Sequence, residues 1–79
     1  MNWKDHIVTD SGVLVGKPIV KGTRLSVELI LDRLADGWSE QDLFRSYLKL
    51  TPQALHAVFA FASEVLKDEE YVARSKAVA

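Results

Sequence analysis

The sequence predicts a mainly α domain, three helices packed behind a short N-terminal β-arm or hairpin. Three observations predict it. Ser39 and Thr51 each stand just before a stretch with helical apolar spacing, the position where a hydroxyl accepts from an orphan backbone N–H. Residues 55–66 carry apolar side chains three and four apart over three turns. Before residue 26, by contrast, the apolar residues come in short β-branched runs cut by glycine and proline. The chain has 79 residues and no cysteine, so it forms one domain with no disulfide or thiolate zinc site to staple it. Apolar residues make up 48%, too many for a disordered chain. A chain this short buries only about 60% of its unfolded surface, which suggests that part of its apolar surface is covered by a second copy or a partner.

The arm occupies residues 1–25. Ile7-Val8-Thr9 reads as a strand and Asp10-Ser11-Gly12 as turn chemistry. Val13-Leu14-Val15 reads as a second extended piece, ended by Gly16. Gly16-Lys17-Pro18-Ile19-Val20-Lys21-Gly22-Thr23-Arg24-Leu25-Ser26 follows, and its backbone reads as strand, turn, strand. Strands this short are marginal in water, so the arm is expected to pair with something, such as a second copy.

The core is expected over residues 26–68. Ser26 caps a first helix over about Val27–Asp36, with Val27, Ile30, Leu31 and Leu34 on its buried face and Gly37 just past its end. Ser39 with Asp42 forms the acidic variant of a capping box for a second helix over about Glu40–Ser46. Trp38 and Leu43 have the spacing of a hydrophobic staple. Tyr47-Leu48-Lys49-Leu50 is a connector whose leucines are expected to point inward. Thr51 and Pro52 open the third helix. Its core stripe is predicted as Leu55, Val58, Phe59, Ala62, Val65 and Leu66, with Phe61 off it. Residues 69–79 either extend that helix or fray. A first helix followed by two capped helices and a short connector is the pattern of a trihelical, helix-turn-helix-like (homeodomain-like) core.

Function is less legible. The net charge of −1 argues against a non-specific nucleic-acid binder, but residues 1–26 are net +2. Lys17, Lys21 and Arg24 put three cations within eight residues. They serve either to blunt a β-edge or to hold phosphates or an acidic partner. In a helix-turn-helix the third helix would present Thr51, Gln53, Ala54, His56 and Ala57 to the major groove, with Gln53 matching adenine edges. Trp3, Ile7, Val8, Val13, Val15, Leu29 and Phe61 are the candidates for a partner or dimer surface. His6 and His56 stand alone, without the spacing of a metal site. No nucleophile triad, phosphate loop or dinucleotide fingerprint occurs, so neither catalysis nor a cofactor is expected. No run is apolar enough to span a membrane and no signal-peptide core stands at the N-terminus, which points to the cytoplasm.

The run Gly16-Lys17-Pro18-Ile19-Val20-Lys21-Gly22-Thr23-Arg24-Leu25-Ser26-Val27 resembles the signature of the domain-of-unknown-function 433 family. His6–Asp10, Ala35-Asp36-Gly37-Trp38-Ser39-Glu40 and Tyr47–Pro52 are similar to the same family, so the resemblance covers roughly residues 3–67. Ser11 and Leu48 stand where the family often has proline. The resemblance implies a small helix-turn-helix-like domain with a β-arm and no catalytic residues. It further implies an antitoxin-like role, neutralising a PIN-like ribonuclease toxin, with binding of its own operator DNA as an additional option; the marginal size and the short strands point to a homodimer. The alternative is a protein-interaction or dimerisation module with no DNA role.

Overall fold

The structure, a computed structural model, describes residues 2–67. The expectation for residues 69–79 lies outside the described residues. Two short strands, β1 (Ile7–Val8) and β2 (Ile19–Val20), precede three helices, α1 (Val27–Ala35), α2 (Glu40–Ser46) and α3 (Pro52–Leu66). The fold is mainly helical with an N-terminal antiparallel hairpin, as the sequence predicts.

The strands find each other within the chain. Ile7 faces Val20 and Val8 faces Ile19 across the antiparallel ladder. The arm therefore needs no second copy to pair its strands. Of Val13-Leu14-Val15, expected as extended, only Val13 is extended, and Leu14 to Gly16 form a tight turn. Leu14, Val15 and Gly16 all have positive φ, at 49°, 58° and 78°. The reversal is what lets β2 run back along β1. It places a β-branched side chain in the left-handed region, and Val15 is left 95% exposed at the tip.

The run from Pro18 to Val27 is a wiring device between arm and helix. Gly22, at φ 78°, makes the turn. The Thr23 hydroxyl donates to the Val20 carbonyl at 2.7 Å and accepts from the Leu25 N–H at 2.9 Å. Val20 N–H donates to Leu25 at 2.9 Å and Val27 N–H to Pro18 at 3.0 Å. The expected strand after this turn shrinks to one bridge, Ile19 to Ser26. Ser26 then caps α1 by accepting from the Leu29 N–H.

The remaining caps form as their sequences dictate. Ser39 and Asp42 bond reciprocally, side chain to backbone, at 3.1 and 2.9 Å. The Ser39 backbone N–H foremost, and then the Ser39 side chain, hold the Asp42 carboxyl below its usual value. The Thr51 hydroxyl accepts from the Ala54 N–H, and Pro52 opens α3. Gly37, at φ 97°, turns the chain out of α1. Arg33 lies over the Trp38 ring, which stacks on Tyr47 with centroids 6.1 Å apart, linking the end of α1 to the end of α2.

One core joins arm and helices. It contains Ile7 and Val20 from the hairpin, Val27 and Ile30 from α1, Leu43 from α2, and Leu50 from the connector. From α3 it takes Ala54, Leu55, Ala57 and Val58. This rotates the buried face of α3 away from the predicted stripe. Ala54 and Ala57 are both buried in the core, and their small side chains let neighbouring elements come close. Phe59, expected mid-core, is 41% exposed. Phe61, expected off the stripe, is half-buried and meets Trp3 edge-to-face at 4.9 Å. The Trp3 indole N–H donates to the Glu64 carboxylate and pins the N-terminal turn to α3. In the connector only Leu50 points inward, since Leu48 is 86% exposed.

Candidate functional site: an apolar groove and a cationic lip

Two surfaces stand out on this frame. The first is an apolar groove of about 390 Å³ between α1 and the last turns of α3. Val65 stands two turns beyond Val58 on the same side of α3, yet Val65 and Leu66 are each 54% exposed. The helix continues past the elements it packs against, and the space beside it is the groove. Val27, Leu31, Phe61, Ala62 and Pro18 complete its walls. Its polar wall residues are Lys17 and Glu28, which pair with each other at 3.1 Å.

The second surface lies where the Gly22 turn meets the α2–α3 connector. Thr23, Arg24 and Leu25 face Tyr47, Leu48 and Lys49 across a shallow depression with no carboxylate in its lining among the described residues. Arg24, Lys49 and the neighbouring Lys21 are all exposed, and among the described residues none of them makes an ion pair. Thr51 opens α3 two residues after Lys49.

The predicted site residues distribute unevenly over these surfaces. Lys17 is tied to Glu28, apart from the lip that Arg24 and Lys49 line. Thr51 is engaged as a cap, while Gln53 and His56 are exposed on neighbouring turns of α3. Of the predicted partner surface, Ile7 is buried in the core and is not available to a partner. Trp3 and Phe61 are half-buried against each other, with Phe61 also reaching the groove wall. Val8, Val13 and Leu29 are partly buried, and Val15 alone of this set is fully open. Sequence reasoning did not single out Lys49, whose meeting with Arg24 exists only in the folded chain. It also missed Val65 and Leu66 as surface residues, because their periodicity reads as core.

Among the described residues no group of three or more His, Asp or Glu side chains is placed to hold a metal ion. No helix among them is long and apolar enough to cross a membrane. No curated protein and no solved structure matches the chain. The family model described as protein of unknown function (DUF433) matches residues 7–62, well over half the chain, so the chain belongs to that family.

Proposed function

We propose that the chain is a non-catalytic regulator of the antitoxin kind, which acts in the cytoplasm by binding a protein, a PIN-like ribonuclease encoded beside it. The apolar groove carries this reading. A small-molecule site of that volume has a few precisely placed polar groups that face the ligand and fix its orientation. Here Lys17 and Glu28 engage each other, and the rest of the wall is apolar. Half-exposed valine and leucine flanking such a groove are what an apolar ridge of another protein covers. The antitoxin role follows the resemblance to the family, and the groove supplies a physical means for it.

Co-expression of the chain with the product of the adjacent gene tests the proposal. The expected result is one complex that survives size exclusion and no longer cleaves RNA. Separate elution with undiminished cleavage would remove this reading. Calibrated mass from the same column reports whether the chain is a homodimer.

A second reading, binding of the chain's own operator DNA, is favoured by Lys21, Arg24 and Lys49 next to the start of α3, cations that make no ion pair among the described residues. It is compatible with the first, since the two surfaces share no lining residue.

A further inference from the structure

We propose that duplex DNA is gripped by the lip formed from Lys21, Arg24 and Lys49, and that the outward face of α3 only borders the contact. The proposal rests on the operator reading above and specifies which atoms supply it.

Affinity for a duplex comes mainly from neutralising phosphates, which needs cations free to leave their own partners. The exposed residues of the first turns of α3 are Pro52, Gln53 and His56, and none is a lysine or arginine. The Thr51 oxygen is committed to the Ala54 N–H. Lys17 and Arg33 have carboxylate partners in Glu28 and Asp36. Among the described residues Lys21, Arg24 and Lys49 have none, and no acid lines the depression that Arg24 and Lys49 share.

The backbone beneath these cations is tied by hydrogen bonds and by the core. Thr23 closes the turn carrying Lys21 and Arg24 with two side-chain hydrogen bonds, and the Lys21 N–H is held by the His6 carbonyl at 2.7 Å. Leu50, immediately after Lys49, is anchored in the core and bonded through its N–H to Tyr47 at 2.9 Å. A cation on a fixed stem loses less freedom on binding than one on a mobile loop. Leu48, 86% exposed within the lip, would lie against deoxyribose carbons between the contacted phosphates. Such contacts position a protein on the duplex without reading sequence, so Gln53 is left as the base-reading candidate.

The test is fluorescence anisotropy with two labelled duplexes, the DNA immediately upstream of the gene and a shuffled sequence of equal composition. Binding is followed across about 50 to 200 mM salt. Wild type, Arg24→Ala/Lys49→Ala, Lys17→Ala and Gln53→Ala are compared, with circular dichroism melts to show that each is folded. The lip predicts that the double variant lowers the slope of log affinity against log salt by about two, equally on both duplexes. Lys17→Ala should leave the slope unchanged. A wild-type slope in the double variant, with binding lost in Gln53→Ala, would overturn the lip and keep the operator reading. No saturable wild-type binding at low salt would overturn both, and the lip would then be assigned to an acidic protein surface.

Discussion

Truncating Leu55 to alanine should unfold the domain or leave it on the edge of unfolding, whereas truncating Phe59 should not. Leu55 has no exposed surface and sits among Ile30, Leu43 and Val58, the other large side chains that are fully enclosed. Its removal takes away three buried carbons, about 0.8 kcal/mol each, and leaves a cavity, for a total of roughly 3–5 kcal/mol. A domain of this size holds about 3–5 kcal/mol in all. Phe59 is 41% exposed. Full burial of such a side chain is worth about 1.5–3 kcal/mol, so its partial burial contributes roughly 1–2 kcal/mol. At about 4–8 °C per kcal/mol, Phe59→Ala should melt cooperatively some 5–15 °C below wild type. Leu55→Ala should show no cooperative transition, or one shifted by more than about 15 °C. Thermal melts followed by far-UV circular dichroism decide it. A larger loss for Phe59→Ala than for Leu55→Ala would refute the rotated face of α3.

Three further outcomes follow from backbone and cap geometry. Val15→Asn should raise the melting temperature, because asparagine tolerates the left-handed φ of 58° that strains valine by about 1–2 kcal/mol; an unchanged or lowered melt would show that the turn is not strained. Gly37→Ala should destabilise by about 1 kcal/mol, a purely backbone cost since its φ is 97° and a methyl group there meets open space. Asp42 has a folded pKa below its ordinary 3.8, so its stabilisation is fully present above that value and is lost as pH falls through the lower folded one. In melts recorded against pH, Asp42→Asn should therefore lie below wild type near neutrality and converge with it in acid.

The helix boundaries were legible because they rest on local chemistry. Ser26, Ser39 and Thr51 each cap the helix predicted from them, and Asp42 and Pro52 act at the positions their types favour. The misses come from non-local choices. Two overlapping faces of α3 satisfy the apolar spacing, and the approach of the N-terminal turn and β1 selects the one with Ala54 and Ala57. Val13-Leu14-Val15 has strand propensity, but antiparallel pairing of Ile7 with Val20 demands a reversal between them. Leu48 and Leu50 look alike in sequence, yet the cap at Thr51 directs only Leu50 inward. The candidate site was half legible for the same reason. Arg24 was visible as a cation, but its meeting with Lys49 requires the fold. The pairing of Lys17 with Glu28 brings a residue of the arm onto α1, apart from the lip.

The central claim is that the groove between α1 and the end of α3 seats a protein partner. Isothermal titration of the adjacent gene product with wild type and with Val65→Glu/Leu66→Glu tests it most directly. Both side chains are half-exposed, so the variant should keep a cooperative melt close to wild type. The account predicts saturable binding by wild type and none by the folded variant. Equal binding by both would place the partner elsewhere on the molecule and contradict the claim.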